Sequence, residues 1–555
     1  MSSAEQSDWV TASADQVVAE GKRRAPGAPL VCASGISPSG PVHLGNLREL
    51  MVPHLVADEL RRRGLDCRHV LSWDDFDRLR KVPAGMPESF AEHIGRPLSE
   101  VPDPCGGAHA NWAEHFKAPF RAELAALGVE VTEVSQTEMY RSGAYTGQIL
   151  HAMRERGAID AILGRYRTVR TPAPEGESPE PDTDETPAAG EYYPYKPYCG
   201  ACGRDSTTVT AYEDETAEVS YTCHCGHRDT DVIGRTGSGK LVWKVDWPMR
   251  WAHEGVTFEG GGVDHSSPGS SFTVGSQVVG EIFGGRPPVY LGFSFVGIRG
   301  MAKMSGSAGG APTLGDALRL LEAPLIRWLY ARRRPNQSFT ISFDQEISRI
   351  YDEWDAAGRR LADGAGDPLE RATRTRALGT VTATLPLTAR PVPFKLLASV
   401  VDITTGDEAQ ILRILGDLTE GEALGSLDPV RPRLDRAQTW VAEQVPAEER
   451  TRVRTDPDHD LLAGLTDGQR EALDLLSKGL DDHWSLDGLT TLVYGVPKQQ
   501  AGLPLDTAPT PELKAAQRTL FALLYRLLTG AETGPRLPTL LLALGPDRIR
   551  TLLGG

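Results

Sequence analysis

The sequence lacks any apolar run near the roughly 18 residues that a membrane-spanning helix needs. Its polar start, residues 1–8, also lacks the pattern of a signal peptide, so we expect a cytoplasmic protein with no membrane partner. An excess of positive charge is missing too, because the 555 residues carry a formal net charge of −16. This argues against a broadly basic surface, and a bound nucleic acid would contact local patches instead. Candidate patches are the arginines at 61–63 and 332–334 and the pair Arg452 and Arg454.

Cysteine is sparse, and its use favours a reducing compartment, since the seven residues are an odd number. Four of them form two close pairs, Cys199 with Cys202 and Cys223 with Cys225, separated by strand-like sequence rich in tyrosine and threonine. This spacing is typical of a zinc ribbon or knuckle with a structural metal ion. His227 follows the second pair, so either Cys225 or His227 could supply the fourth ligand.

The first glycine-rich turn, residues 33–46, matches neither G-x-G-x-x-G nor G-x-x-x-x-G-K-[ST]. An apolar run at 29–32 precedes this turn, and a segment with helical periodicity at 47–63 follows it. The order predicts a strand, a turn and a helix. Such a turn places backbone N–H groups and a helix N-terminus at the mouth of a parallel sheet, where they can bind phosphate.

Two short motifs then connect this turn with a known family. Residues 43–46, His-Leu-Gly-Asn, resemble the HIGH element of class I aminoacyl-tRNA synthetases. Residues 303–307, Lys-Met-Ser-Gly-Ser, begin 260 positions downstream of His43 and resemble the second element, KMSKS. The chain is also similar to class I lysyl-tRNA synthetases at 73–83, 243–251, 264–271 and 534–537. The resemblance runs over nearly the whole chain.

The resemblance implies an α/β Rossmann-type catalytic domain with zinc-binding insertions, followed by an all-α anticodon-binding domain. We expect the Rossmann halves at 1–90 and 241–312, an insertion with acceptor-binding and zinc sites at 91–240, and the helical domain at 313–555. Inside the insertion, the acidic, Pro-rich segment 171–190 has too few large apolar side chains to order, so we expect it to be disordered. In the last part, the helix predicted over 314–334 contains Pro324, which predicts a split or kink there.

The implied reaction is ATP-dependent ligation of lysine to tRNA(Lys) through a lysyl-adenylate. Mg²⁺ would bridge phosphate oxygens, and Zn²⁺ would stabilise the insertions. The reaction needs no protein nucleophile, so catalysis rests on positioning and charge stabilisation. We expect the protein to act as a monomer.

The matching positions assign residues to this reaction. A predicted strand at 66–73 places Asp74 and Asp75 at the sheet edge, where a lysine ammonium would find a carboxylate. The catalytic set is His43, Asn46, Lys303, Ser305 and Ser307. The ATP set is Ser39, Gly40, His43, Gly45, Asn46 and Lys303. The amino-acid pocket is Gly35, Ser37, Asp74, Asp75, Trp243, Asp246, His265 and Phe293.

A second metal site is implied between residues 103 and 115, where the family often binds zinc with Asp, Cys and two His. Asp103, Cys105, His109 and His115 could supply the four ligands. However, Ala108 stands where the family has its Cys, so Cys105 would have to approach from the other side. The alternative is a glycine-rich loop that holds no metal.

One stretch departs from the family. Phe293-Ser294-Phe295 stands where a Tyr-Glu-Trp-like triplet is usual, which removes a phenol and a carboxylate near the pocket. Two alternatives to lysine ligation therefore stay open. The first is a paralogue that activates a lysine analogue or serves as an inhibitor-resistant second copy. The second is a catalytically silent tRNA-binding protein, although that function would not need His43, Asn46 and Lys303.

Overall fold

The computed structural model describes residues 8–167, 191–266, 269–300, 310–418 and 424–554. The acidic segment 171–190 and the loop residues Lys303, Ser305 and Ser307 lie outside the described residues. The chain forms two compact units. The first unit combines Met1–Leu318, Ala323–Ser342 and Leu361–Leu385, and the second combines Arg319–Glu322, Phe343–Arg360 and Pro386–Gly555.

The strands among the described residues all belong to the first unit, and the helices are distributed over both. The strands are β1 (Leu30–Ile36), β2 (Cys67–Trp73), β3 (Thr132–Ser135), β4 (Tyr195–Pro197), β5 (Thr207–Glu213), β6 (Glu218–Cys223), β7 (Arg228–Val232), β8 (Gly239–Leu241), β9 (Phe258–Gly262), β10 (Val289–Phe293), β11 (Val296–Ile298) and β12 (Phe339–Ile341). The helices are α1 (Trp9–Arg24), α2 (Leu44–Arg62), α3 (Trp112–Ala126), α4 (Gln136–Arg141), α5 (Thr146–Arg154), α6 (Arg156–Arg167), α7 (Trp243–Glu254), α8 (Ser271–Glu281), α9 (Leu314–Leu320), α10 (Ala323–Ala331), α11 (Ile347–Ala362), α12 (Pro368–Leu378), α13 (Phe394–Ile403), α14 (Glu408–Leu418), α15 (Arg433–Gln444), α16 (His459–Ala463), α17 (Asp467–Gly479), α18 (Leu486–Gln500), α19 (Pro511–Thr529), α20 (Leu537–Leu544) and α21 (Pro546–Leu552).

A five-stranded sheet with the order β10-β9-β1-β2-β3 forms the core of the first unit. Every neighbouring pair in it is parallel, and β1 pairs with β2 from Leu30 opposite Cys67 to Ile36 opposite Trp73. The carboxyl ends of all five strands therefore meet at one edge, which is where open α/β sheets bind ligands. The predicted α/β core is confirmed.

Helices cover both faces of this sheet, which explains why β1 is a nearly continuous apolar run. Val31 and Ala33 pack against Trp247 and Trp251 of α7. The side chain of Ser34 points to the other face of the sheet. Its hydroxyl donates a hydrogen bond to the backbone carbonyl of Glu49 in α2 at 3.2 Å. The strand is thus held from both sides, and the turn that follows it starts from a fixed point.

The chain between β3 and β9 forms an insertion in the first unit. It contains α4, α5 and α6, the antiparallel sheet β5-β6-β7 and the antiparallel pair β4 and β8, and α7 leads from it into β9. Tyr195, Tyr198 and Tyr212 of the insertion pack in one buried cluster with Val245 and Met249 of α7. The insertion therefore shares its core with a helix that covers the main sheet.

The second unit is helical, with a core in which leucine is the main large side chain. Buried members include Leu524, Leu527 and Leu528 of α19 and Leu540 and Leu541 of α20. At the boundary between the units in sequence, the helix predicted over 314–334 is split into α9 and α10, as Pro324 indicates. Among the helices that the structure describes, none is long and apolar enough to cross a bilayer.

Candidate functional site

The turn after β1 leads into α2, and His43 is the N-terminal cap of that helix. Its Nδ1 accepts hydrogen bonds from the backbone N–H groups of Gly45 at 3.1 Å and Asn46 at 3.4 Å. Burial lowers the pKa of His43, so the imidazole is neutral near pH 7 and its proton lies on Nε2. His43 therefore keeps one N–H donor at a helix N-terminus, which is a setting suited to phosphate.

The other predicted ATP ligands that the structure describes lie in the same turn. Ser39 and Asn46 are exposed, whereas Gly40 is buried. The carbonyl of Ser39 accepts a hydrogen bond from Trp112 Nε1 of α3 at 3.3 Å, which anchors the turn. Lys303 lies outside the described residues, so the structure brings together the His43 side of the predicted ATP site.

Asp74 follows β2 directly and lies beside the first glycine of the turn. A Cβ built on Gly35 would stand 4.0 Å from Asp74 Oδ2. Asp74 Oδ1 accepts a hydrogen bond from Arg250 Nη1 at 2.5 Å. Burial raises the pKa of Asp74 in spite of this arginine. One oxygen of the carboxylate is thus bound by the protein, and the other lies next to the strand end where a substrate would bind.

Arg250 also belongs to a larger buried network of charges. Its guanidinium bridges Asp74 and Asp246, and Lys240 bridges Asp246 and Asp77. When all members are ionised, three carboxylates face two cations, which leaves one negative charge without a partner inside the network. Asp246 is fully buried in this network and also accepts a hydrogen bond from Tyr140 at 2.5 Å. Asp246 therefore holds the guanidinium of Arg250, and its place in the amino-acid pocket stays a prediction.

Asp75 has a different environment from Asp74. Its carboxylate accepts hydrogen bonds from Lys117 Nζ at 2.5 Å, Ser135 Oγ at 2.7 Å, and the N–H and hydroxyl of Thr137 at 2.8 and 3.0 Å. These donors come from α3, β3 and α4, so Asp75 joins three elements to the end of β2. Its oxygens are occupied by the protein, and we assign it to holding the sheet edge instead of binding substrate.

An aromatic wall stands next to Arg250. Trp243 and Trp247 of α7 stack with ring centroids 5.4 Å apart at an angle of 13°. His265 lies 5.8 Å from the Trp247 ring and 6.4 Å from the Trp243 ring. The structure therefore brings Trp243 and His265 together, as the sequence predicted, and adds Trp247 to the group.

Glu259 is a site residue that the sequence reasoning missed. It lies on β9 and accepts hydrogen bonds from Trp247 Nε1 at 3.0 Å and from Trp251 Nε1. Burial raises its pKa to about 7. A signal was present, because Glu259 is the one charged residue in a strand of otherwise apolar and glycine residues that is buried throughout.

Glu49 is the second missed residue, and it lies one helical turn after Asn46 on α2. Burial and then the carboxylates of Glu259, Asp264 and Asp74 raise the pKa of Glu49 well above its usual range. Carboxylates from the end of β2, from β9 and from the turn after β9 are therefore close enough to disfavour ionisation of Glu49 on α2. A bound cation would relieve this repulsion.

Phe293 is the last residue of β10, and its side chain is buried against the neighbouring strand β9. It is 6% exposed, and a Cβ built on Gly260 would stand 3.2 Å from its Cε1. The neighbouring Gly261 gives similar room to Tyr290, whose hydroxyl would lie 2.2 Å from a Cβ at that position. The contact of Phe293 with substrate stays a prediction, and Phe295 is the more exposed of the two rings, at 53%.

The four cysteines of the insertion form one group, as their spacing predicts. The ligand atoms of Cys199, Cys202, Cys223 and Cys225 lie within 4.8 Å of one another, and two of the Sγ–Sγ distances are 3.7 Å. Zinc bound by four thiolates at about 2.3 Å requires Sγ–Sγ distances of about 3.8 Å, so the geometry fits this ion. His227 is outside the group, and its Nε2 lies 3.6 Å from Asp229.

The second predicted metal site is also assembled in part. Asp103, Cys105 and His115 bring ligand atoms within 4.8 Å of one another. His109 Nδ1 lies 3.7 Å from Asp103 Oδ1 and is buried without a hydrogen-bond partner. The donor set of carboxylate, thiol and two imidazoles fits zinc, and the thiol of Cys105 lies beside Asp103 and His115.

Comparisons with known proteins show what this chain is similar to. A family model described as tRNA synthetases class I (K) matches residues 7–382. A lysine–tRNA ligase of Streptomyces coelicolor is 58% identical, over 100% of this chain and 99% of the relative. A lysine–tRNA ligase of Pyrococcus horikoshii is 34% identical over 97% of each chain. Among solved structures, a glutamate tRNA ligase from Elizabethkingia meningosepticum aligns over 95% of this chain and 98% of its own, with a TM-score of 0.40 and 11% identity.

Proposed function

The chain belongs to the class I (K) tRNA synthetases, and on this basis we propose that it ligates lysine to tRNA(Lys) with ATP. In the first step the lysine carboxylate attacks the α-phosphorus of ATP, which gives lysyl-adenylate and releases pyrophosphate. In the second step the terminal ribose hydroxyl of the tRNA attacks the adenylate carbonyl and releases AMP. Neither step needs a covalent bond to the protein, so the side chains act by positioning and by stabilising charge.

The cluster of four carboxylates is the observation that supports lysine as the amino acid. Three carboxylates raise the pKa of Glu49, so a cation bound among them would stabilise its ionised form, and lysine carries two ammonium groups. We assign the side-chain ammonium to Glu49 and the α-ammonium to Asp74, which lies beside Gly35. The stacked indoles of Trp243 and Trp247 would cover the butyl stem.

The helix N-terminus at His43 supports the assignment of the phosphate site. His43 Nε2–H and the side chain of Asn46 would donate to phosphate oxygens, where negative charge develops as pyrophosphate leaves. Bound Mg²⁺ would neutralise part of this charge. Lys303, Ser305 and Ser307 would act on the same oxygens, a role that rests on the sequence motif.

The cysteine group and the Asp103 group are proposed as two zinc sites. Four thiolates leave no open position, so the first ion would be structural and would hold the strands of the insertion together. The second site would close the loop before α3, where Asp103 already accepts backbone hydrogen bonds from Cys105, Gly107 and His109. We propose that the helical unit contacts the tRNA at a distance from its reacting end.

Lysine-dependent exchange of pyrophosphate into ATP tests the proposal directly. Exchange with lysine in the absence of tRNA would mean a complete site that forms the adenylate unaided. Exchange only with added tRNA would mean that the RNA completes the site. No exchange with any amino acid, together with retained tRNA binding, would contradict the ligase function and support a silent tRNA-binding protein.

The identity of the amino acid is tested in the same assay with arginine, ornithine and other basic amino acids. A pocket that pairs one carboxylate with each ammonium should favour lysine. A preference for another basic amino acid would support the paralogue with an altered substrate, which the Phe293-Ser294-Phe295 departure keeps open.

A further inference from the structure

Lys240 is a mostly buried cation that no step of the proposed reaction uses. It lies on β8, the last strand of the insertion, three residues before Trp243 of the aromatic wall. Its side chain is 15% exposed, and its ammonium contacts Asp77 and, at 3.7 Å, Asp246. These two carboxylates occupy the ammonium, so Lys240 is not available as a direct ligand for a substrate. Buried ion pairs are often no more stabilising than apolar packing, so stability alone does not account for this one.

Lys240 and Asp77 are both ionised in the folded protein near pH 7. Burial lowers the pKa of Lys240, but Asp77 and Asp246 outweigh burial and hold the pKa above its ordinary value. Burial raises the pKa of Asp77, but the neighbouring cations, Lys240 foremost, outweigh burial and hold the pKa below its ordinary value. The contact is therefore a true ion pair, and the charge of each partner counts in the network around Arg250.

β8 is fixed to Asp246 at two adjacent residues. Lys240 lies 3.7 Å from Asp246 Oδ2. The N–H of Leu241 donates to Tyr140 Oη at 3.1 Å, and this hydroxyl donates to Asp246 Oδ1 at 2.5 Å. Arg250 Nη2 donates to the same Oδ2 that Lys240 approaches. Lys240 and Arg250 therefore share one carboxylate oxygen, so the position of one cation depends on the other.

Arg250 is the branch point between Asp246 and Asp74, because Nη2 donates to Asp246 while Nη1 donates to Asp74 Oδ1 at 2.5 Å. Burial raises the pKa of Asp74, and the charges of Arg250 and Lys240 act against burial. Without Lys240, Arg250 would be the only cation left in the network, and Asp77 and Asp246 would draw its guanidinium away from Asp74. Asp74 would then take up a proton and lose the charge that binds an ammonium.

We propose that Lys240 is a positioning residue for the amino-acid pocket. It neutralises Asp77 and shares Asp246 with Arg250, so that Arg250 stays on Asp74 and the network keeps one net negative charge. That charge is the complement of a single ammonium, which under the proposed function is the α-ammonium of lysine. The inference rests on the proposed function, and it gives the insertion a part in binding the amino acid, since β8 belongs to the insertion.

The first test changes the charge balance and measures the KM values of lysine and ATP in aminoacylation of tRNA. Lys240→Met keeps the length of the side chain but removes its charge, so the KM for lysine should rise by about tenfold. The KM for ATP and kcat should stay within about threefold, because the proposed phosphate site is at His43. Lys240→Arg preserves the cation and should keep the lysine KM within about threefold of the wild type.

A double variant separates charge balance from packing. Asp77→Asn alone leaves the network without net charge, so it should also raise the KM for lysine. Lys240→Met/Asp77→Asn leaves two carboxylates on one guanidinium, which restores one net negative charge. The lysine KM of the double variant should therefore return to within about threefold of the wild type, although two contacts are lost.

The second test asks which ammonium the network serves. The probe is ε-aminocaproate, which keeps the carboxylate and the side-chain ammonium of lysine but lacks the α-ammonium. Its inhibition constant against lysine should change by less than about twofold in Lys240→Met, whereas the KM for lysine rises. An equal loss for ε-aminocaproate would show that the network does not serve the α-ammonium and would overturn the inference.

Lys196→Met is the matched control, because Lys196 lies opposite Lys240 on β4 and pairs with Asp205 at 3.8 Å, outside the network. Its lysine KM should equal that of the wild type, and thermal melting should show that all variants remain folded. If the losses of Lys240→Met and Asp77→Asn added up in the double variant, or if the KM values of lysine and ATP rose together, Lys240 would be purely structural and the inference would be wrong.

The proposed function can fail separately from this inference. If the wild type bound lysine but activated none, the ligase function would be refuted. Calorimetric titration with lysine and ε-aminocaproate needs no reaction, so it would still test the network on the same variants. Absence of lysine binding by the wild type would overturn both proposals.

Discussion

At the residue scale, Glu49 carries a carboxylate whose closest ionisable neighbours include three other carboxylates. Glu49→Gln keeps the shape of the side chain and removes its charge. We expect the KM for lysine to rise by about 10- to 100-fold, because a hydrogen bond to a charged partner contributes about 1.5–3 kcal/mol. The KM for ATP should change little, since the proposed phosphate site is at His43.

The matched control is Glu448→Gln, which makes the same chemical change at an exposed position of the second unit. Its lysine KM should equal that of the wild type. Equal effects of Glu49→Gln on the KM values of lysine and ATP would contradict the assignment, because they would indicate a general disturbance of the site.

Glu259 gives a prediction about pH. Its folded-state pKa of about 7 lies above the ordinary value of 4.5, so the folded protein binds more protons than the unfolded chain between these pH values. Stability should therefore fall as pH rises from about 4.5 to about 7 and stay lower above that, by up to about 3 kcal/mol. Glu259→Gln removes this titration, so the free energy of unfolding of the wild type minus that of the variant should decline across the window. A difference that is independent of pH in urea titrations would show that Glu259 is not protonated by burial.

At the scale of elements, the start of α2 has two separable requirements. His43 Nδ1 caps the helix, while Nε2 is the proposed phosphate donor. His43→Asn keeps an acceptor that caps helices well but removes the Nε2 donor. We expect nearly wild-type stability with kcat for adenylate formation lower by about 100-fold or more.

His43→Ala completes the comparison, because it removes both the cap and the donor. It should lose a further 1 kcal/mol or so of stability, which is about the usual cost of deleting an N-cap side chain. Exchange kinetics and melting curves measure the two effects separately. Full activity in His43→Asn would show that the imidazole is needed for the helix alone.

The insertion offers a second prediction at this scale. Because four thiols form the group and His227 lies outside it, Cys225→Ser should lower the zinc content of the purified protein, whereas His227→Ala should leave it unchanged. Metal analysis of the full-length variants measures the outcome. If His227→Ala lost zinc and Cys225→Ser retained it, the fourth ligand would be the imidazole of His227 and not the thiolate of Cys225.

At the scale of the whole molecule, the second unit is assembled from three separated segments of chain, and Arg433 connects all three. It binds Glu322 of the first segment and Asp355 of the second, with guanidinium–carboxylate distances of 3.0 and 2.7 Å. Arg433→Ala leaves two carboxylates without their partner in the core and should lower the free energy of unfolding by about 3–5 kcal/mol. Urea unfolding followed by circular dichroism measures this loss.

Arg431, two residues before Arg433, provides the control, since its ion pairs with Glu408 and Asp435 are at the surface. Arg431→Ala should cost less than about 1 kcal/mol, because solvent screens exposed pairs. Similar losses of unfolding free energy in both variants would mean that burial does not make the ion pairs of Arg433 more stabilising than exposed ion pairs.

The local patterns were predictable because they depend on neighbours in sequence. The strand, turn and helix around His43, the split at Pro324 and the grouping of Cys199 with Cys202 each follow from spacing over a few residues. The parallel sheet also followed, since alternating strand and helix signals permit few topologies. The roles of Asp75 and Asp246 could not be predicted, because Lys117 and Tyr140 approach them from distant positions in the chain.

The sequence by itself determined the family, the α/β core, the strand–turn–helix order at His43 and the grouping of the cysteines, since each is written in short motifs and periodicities. Only the tertiary structure decided which carboxylates are available to a substrate. Asp74 and Asp75 are adjacent in sequence, yet Asp75 is occupied by three surrounding elements while one oxygen of Asp74 remains beside Gly35. The physical reason is that ionisation and ligand binding depend on burial and on partners brought together by folding, and neither is a property of a residue type.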